Sequence, residues 1–206
     1  MDNGAMDVIA LTFLLAFGAF FIKNAEQRQR IGWLASILGP IQLEKNIETL
    51  ATGYMRALAE NDPERSGPIW RMLEATEATL ARQLDRLSRD IQTLSPARAR
   101  ISQWSLALPM ATRLFPNATV DLRALIQIHA QGFAMGVANP GGLSRKQQAR
   151  QLLAELYLFQ HTCHWYCRSK AEASARLVMR HQTTYEQTLA LVSDQTRKAY
   201  TALVTE

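Results

Sequence analysis

The last third of the chain, Ser144 to Glu206, contains no glycine and no proline. Those are the two strongest breakers of regular structure, so this stretch is expected to be helical over most of its length. It is long enough for two full helices back to back, or for one unusually long one. Two capping patterns divide it. Ser144-Arg-Lys-Gln147 and Ser169-Lys-Ala-Glu172 each set Gln or Glu three residues after a serine, which satisfies free N–H groups at a helix start. The spacing predicts a helix over 144–168, a kink or break, and a helix over 170–204. A single continuous helix is the competing expectation. Tyr157, His164, Ala171, Val178, Tyr185, Val192 and Ala199 keep a seven-residue register through the proposed break, and Leu189 and Leu203 add a second row.

At the other end, Val8 to Ile22 (VIALTFLLAFGAFFI) is an unbroken apolar run. As a helix its fifteen residues rise about 22 Å, short of the roughly 30 Å hydrocarbon core, although Ala5 and Met6 can extend it. The run is apolar all round rather than striped, which points to a membrane anchor, with a buried helix of a soluble domain as the alternative. Asp2 and Asp7 precede it and no Lys or Arg does, so it does not have the form of a cleaved signal peptide. Lys23, Arg28 and Arg30 follow it. The positive-inside rule then sets the N-terminus outside and the remaining chain in the cytoplasm, as a single-pass membrane protein. A second apolar piece, Ile31 to Ile41, is too short to span. Trp33 and its basic flank suit a segment at the membrane interface, and a core helix is the equal alternative. Gly39-Pro40 ends it.

The middle of the chain reads as further helices. Leu43, Ile47, Leu50, Tyr54 and Leu58 form one apolar stripe on a helix from about Ile41 to Glu60. Asn61-Asp62-Pro63 stops that helix, and the loop is expected to run to Ser66-Gly67 before Pro68 opens the next one. From Pro68 to Leu94, Leu73, Leu80, Leu87 and Leu94 stand seven apart, with Trp70, Leu84 and Ile91 between them and Glu77 as the one exception. A seam of this kind packs along another helix, so 41–94 should form an antiparallel hairpin. Arg82, Asp85, Arg86, Arg89 and Asp90 on its other face read as a solvated surface. Residues 95–116 are expected to be irregular, with one short helix around Ile101 to Leu106. Trp104, Leu106, Leu108, Leu114 and Phe115 are expected to pack over the hairpin. Asn117 or Thr119 should cap a helix over 118–138, with Asp121 near the positive end of its dipole and Leu122, Ile126, His129 and Phe133 on one face. Ala138 to Gly142 closes that helix. No strand-like alternation of useful length occurs. The fold class is therefore all-α: an N-terminal membrane-anchor helix (1–30) followed by a helical bundle (31–206) with a long C-terminal helix pair.

One cluster carries chemistry: His161-Thr-Cys163-His164-Trp-Tyr-Cys167. On a helical wheel its four polar members fall within an arc of roughly 160°. Cys163 with Cys167, His164 with Cys167, or His161 with His164 would each supply two donors to one ion. Zinc usually requires four, so another helix must complete the site, and His129 on its apolar face is the natural candidate. Packing is the stronger reading, because free cysteine behaves as a small hydrophobe and core histidines find hydrogen-bond partners. A redox-sensing thiol is the third. The two cysteines stand four apart on a predicted helix, near the limit of disulfide reach, and read as reduced thiols. The c-type haem pattern is absent, since Cys163-His-Trp-Tyr-Cys167 has the wrong spacing and Arg168 follows it.

Other motifs fail more simply. The glycines from Gly136 to Gly142 follow a helix rather than a strand, so no phosphate cradle is implied. No nucleophile elbow marks a serine hydrolase. The net charge of +5 is moderate, and no basic helix interleaved with aromatics suggests nucleic-acid binding. The expectation is a membrane-tethered scaffold or accessory protein, with no cofactor and no catalytic signature. It would contact membrane or cytoplasmic proteins, or itself, through Tyr185, Val192 and Ala199 on one surface and Leu73, Leu80 and Leu87 on another. The alternative is a membrane-bound redox or sensor protein that holds zinc or haem on His129, His161, Cys163, His164 and Cys167. A lipid-handling protein is a third option.

Overall fold

The computed structural model describes residues 3–205; Met1, Asp2 and Glu206 lie outside the described residues, and with them the Asp2 charge before the apolar run. The protein is all-α, with a long N-terminal apolar helix followed by a packed helical bundle. The first helix, α1 (Asn3–Leu38), is continuous. Its most apolar 18-residue stretch is unburied, and the helix is long and apolar enough to cross a membrane. Its second half belongs to the bundle. Gln27, Leu34 and Leu38 are buried, and Trp33 and Ile37 pack against the same core. Leu34 and Leu38, like Trp33 and Ile37, stand four apart, and Gln27 stands seven before Leu34, so all lie on one helix face against the bundle. One face of the 31–41 piece is therefore part of the core, while Ile31 is exposed, and the helix runs unbroken across residue 30.

A short 3₁₀ turn, Gly39–Ile41, carries Pro40 and leads into α2 (Leu43–Ala59). The stripe of α2 is inward: Leu43, Ile47, Leu50 and Tyr54 are buried. Helix α3 (Pro63–Asp90) packs along it. It starts five residues earlier than the Pro68 signal predicts. Asp62 caps it by accepting from the Glu64 N–H (2.9 Å), with Pro63 at the first helical position, and Pro68 is carried within its early turns. Leu73, Leu80, Leu84, Leu87 and Ile91 are fully buried along the seam. The two helices approach closely at Gly53, where a Cβ would stand 2.4 Å from a Leu73 methyl carbon.

After a 3₁₀ turn at Ile91–Thr93 come α4 (Pro96–Ala99), β1 (Arg100–Ser102), α5 (Ala111–Leu114) and β2 (Thr119–Asp121). The expected short helix at 101–106 is instead strand β1, which pairs antiparallel with β2 (Ile101 opposite Val120). Both side chains are buried. The apolar residues between the strands do not cover the hairpin: Trp104, Leu106, Leu108, Leu114 and Phe115 remain exposed. Helix α6 (Leu122–Ala138) begins later than expected, because Asp121 is itself the cap, accepting from the Arg123 N–H (2.8 Å) while pairing with the Arg123 side chain.

Helix α7 (Arg145–Cys167) opens on the Ser144/Gln147 capping box and packs along α6 and α2. It is buried on nearly every side. Beyond it the chain turns at Arg168–Ser169 and folds back as α8 (Lys170–His181), capped by Ser169. The expected 170–204 helix is segmented into three: α8, α9 (Tyr185–Leu191) and α10 (Asp194–Val204). Gln182 takes a left-handed conformation (φ 53°) to end α8. Thr184 forms a capping box with Gln187 at the start of α9, and Ser193 caps α10 through the Thr196 N–H (3.1 Å). These are ordinary start signals inside a stretch free of glycine and proline, and they break the seven-residue register from Tyr157 to Ala199.

Candidate functional site

Adjacent residues on a helix project about 100° apart, and α7 has neighbours on several sides, so the members of its polar cluster meet different elements. His161 points to α8 and α9. Its Nε2 is 3.1 Å from the Ser174 hydroxyl, and its ring lies 4.8 Å from that of Tyr185. His164 faces α8, where Arg176 donates to its Nδ1 at 3.4 Å. Cys163 is buried on another side, and Cys167 is buried one turn further on. His129 of α6 reaches α7 at Thr162, with its Nε2 2.8 Å from the hydroxyl, and it abuts the rings of Phe159 and Tyr200. His181 returns to α7 because α8 folds back. Its ring stacks on Tyr157 at 3.9 Å, and its Nε2 contacts Gln160 (3.1 Å).

Burial governs the electrostatics of this region. It pulls His129 down to about 3, with the nearby His161 adding to the effect, and pulls His161 and His164 down to about 4. The imidazoles are thus neutral at pH 7. The Nδ1 atoms of His129 and His161 are buried without a partner. Burial pushes the Cys167 thiol up to about 11 and the Cys163 thiol well above the ordinary range. Thiols held protonated in a core are poor nucleophiles and poor redox sensors. Among the described residues, no three His, Cys, Asp or Glu side chains converge to hold a metal ion. The donor set considered for zinc or haem is thus divided: His161 and His164 line one cleft against α8 together with His181, Cys163 and Cys167 are buried outside that cleft, and His129 is engaged by Thr162.

Two carboxylates of equal interest were not candidates from the sequence. Glu155 of α7 is buried between α6 and α10. One of its oxygens accepts from the Ser193 N–H (3.0 Å), the other has no partner, and burial raises its pKa. Its only signal is a lone charge in the apolar string Leu152–Phe159. Gly132 of α6 makes room for it: a Cβ there would stand 2.1 Å from Thr196 Oγ1 and 2.8 Å from Glu155 Oε2. Overpacking a core typically costs about 1–3 kcal/mol. Valine gains only a few tenths of a kcal/mol of helix preference over glycine, which offsets little of this. Gly132→Val is therefore expected to lose about 2–3 kcal/mol, read as a lower urea midpoint. The second carboxylate, Glu77, is the exception in the leucine seam. It accepts from the Tyr54 hydroxyl (2.7 Å) and pairs with Arg145. Arg145 also donates to Gln148 (2.8 Å), and its guanidinium lies 5.2 Å from the Trp70 ring centre.

The residues expected to form contact surfaces lie as follows. Leu73, Leu80, Leu87 and Val192 are buried, and Tyr185 and Ala199 are half-buried on separate helices. The large apolar side chains exposed on the bundle include Met72, Val178, Met179 and Leu191, besides the loop between β1 and β2. In comparison with known proteins, the chain matches no family model, no curated protein and no solved structure.

Proposed function

We propose that this protein is a membrane-tethered, non-enzymatic scaffold or accessory subunit. Its bundle faces the cytoplasm and acts through helix-mediated contacts with other membrane or cytoplasmic proteins, or with a second copy. The observation that carries this reading is α1. Its first half exposes Val8, Phe13, Leu14, Phe17 and Phe21 to the surroundings, while its second half is built into the core. An apolar surface of that size is stable in lipid and a liability in water. Lys23, Arg28 and Arg30 just beyond the run favour the cytoplasmic side for the bundle. The leucine seam is occupied within the chain. Partner contacts therefore fall to the lipid-facing part of α1 and to exposed side chains such as Met72 on α3 and Met179 on α8.

The test is photo-crosslinking from positions 72 and 179 of the full chain in its native membrane, with native mass measurement of the extracted protein. A discrete adduct of fixed mass is expected. A lone monomer with no adduct from either position would sink the reading. Protection of the bundle from protease outside sealed cells, and its cleavage in inverted vesicles, checks the orientation.

A further inference from the structure

We propose that the loop between β1 and β2 is a second membrane contact, lying on the anionic headgroups beside the point where α1 leaves the bilayer. This rests on the reading of α1 as a membrane span. The first observation is apolar exposure. Trp104, Leu106, Leu108, Leu114 and Phe115 are 42–68% exposed, and the Trp104 and Phe115 rings are 5.5 Å apart. The loop is held in this position. β1 and β2 close its base, and Ser105 accepts from the Ala171 N–H at the start of α8 (3.0 Å). A clustered apolar surface of this kind on an ordered loop marks an interaction site, and Trp is the residue most suited to the headgroup level.

The second observation is position. The Met110 N–H donates to Glu26 Oε2 (3.1 Å), and Trp104, Leu106 and Leu108 line one cleft with Lys23 and Glu26. Glu26 stands four residues beyond Ile22, the end of the apolar run, so it lies about 6 Å further along the helix. The headgroup layer is about 5–8 Å deep on each side of the hydrocarbon. With Ile22 at the hydrocarbon edge, the loop is level with the headgroups. The shortness of the run works in the same direction. A span of about 22 Å in a roughly 30 Å core draws the base of the attached domain onto the interface.

The third observation is charge. The two clefts on either side of α1 are lined by Lys23, Arg30, Arg98, Arg113 and Arg168, with Glu26 as their one carboxylate, and Glu26 already accepts from Met110. Basic residues flanking a span are attracted to anionic lipid. The combination of exposed aromatic and aliphatic side chains with a basic surround fits a bilayer surface better than an apolar protein partner.

The experiment uses the full chain reconstituted into phosphatidylcholine vesicles containing phosphatidylglycerol, with acyl chains brominated near the headgroup. Emission of the wild type minus that of Trp104→Phe isolates Trp104 from Trp33, Trp70 and Trp165. Retention of the protein after an alkaline wash reports separately on the span. The expected result is retention together with loss of at least half of the Trp104 emission to brominated lipid, and protection of Trp104 from acrylamide. Retention with an unquenched, acrylamide-accessible Trp104 overturns the loop contact and leaves the span standing. Retention with Trp104 shielded from acrylamide but unquenched by lipid means that another protein surface covers the loop, which also overturns the proposal. Release of the protein by alkali overturns the span, and the loop contact with it.

Discussion

Replacing Glu77 with alanine is expected to destabilise the protein by about 3 kcal/mol, one of the largest effects of any single polar substitution. Glu77 is 3% exposed and sits among leucines, yet it is the centre of a network. The Tyr54 hydroxyl of α2 donates to it, Arg145 of α7 pairs with it, Arg145 holds Gln148, and Gln148 donates to the Gly136 carbonyl of α6 (2.9 Å). Four helices are joined through one carboxylate. Its removal leaves a buried hydroxyl and a guanidinium without their acceptor. Breaking a buried pair costs about 3–5 kcal/mol, and the lower end applies because a quarter of the Arg145 side chain remains in water. In a chain of this size that corresponds to a fall in Tm of about 6–12 °C. The double variant Glu77→Leu/Arg145→Leu is expected to regain only part of the loss: leucine completes the seam between Leu73 and Leu80 and no charge is left unpaired, but the buried Tyr54 hydroxyl still lacks its acceptor. An alanine variant that melts within a degree of the parent would show that the network contributes nothing.

The second large effect is acid sensitivity. His129 and His161 are nearly fully buried, with pKa values drawn to about 3 and about 4 from an ordinary 6.5. In the folded state they refuse protons that the unfolded chain accepts. Their stabilisation is therefore complete above about pH 6.5 and falls as the pH drops toward their folded values. Each contributes a slope of about 1.4 kcal/mol per pH unit, so the pair removes roughly 5 kcal/mol between pH 6.5 and 4.5, comparable with the whole stability of a small domain. His164 acts in the same direction, but it is partly exposed and counts for less. Glu155 acts in the opposite direction. Its pKa is raised, so its contribution is present at low pH and lost as the pH rises, which offsets part of the histidine effect. Urea midpoints at pH 7.5, 6.0 and 5.0 should fall steadily. They should fall more steeply in Glu155→Gln, which lacks the offset. Midpoints unchanged between pH 7.5 and 5.0 would show that the two imidazoles are not held neutral.

The elements with one strong local signal were legible from the chain alone. The all-round apolarity of Val8–Ile22, the three-and-four spacing from Leu43 to Tyr54, the heptads of α3 and the Ser144 capping box each describe a structure in which one local rule applies without competition. Errors arose where two rules competed. Asp62-Pro63 and Gly67-Pro68 are both helix starts, and the stronger cap at Asp62 prevailed. Ser193 and Thr184 are caps inside a stretch with no glycine or proline, and they ended helices that the seven-residue register appeared to continue. Ile101 and Val120 paired as strands across an intervening loop, a contact that no local window contains.

The candidate site divides in the same way. The sequence by itself determined that this chain would be a helical bundle on an apolar stem, because periodicity and capping are local properties of the backbone and its nearest side chains. It also singled out Glu77 as a charge out of place, without its purpose. Only the tertiary structure decided which side of α7 each histidine and cysteine would face, and that Glu77 and Arg145, sixty-eight positions apart, would meet. A helix buried on nearly all sides has no polar face from which direction can be read. The partners of its side chains are set by how α2, α6, α8 and α9 pack around it, and that packing is a property of the whole chain.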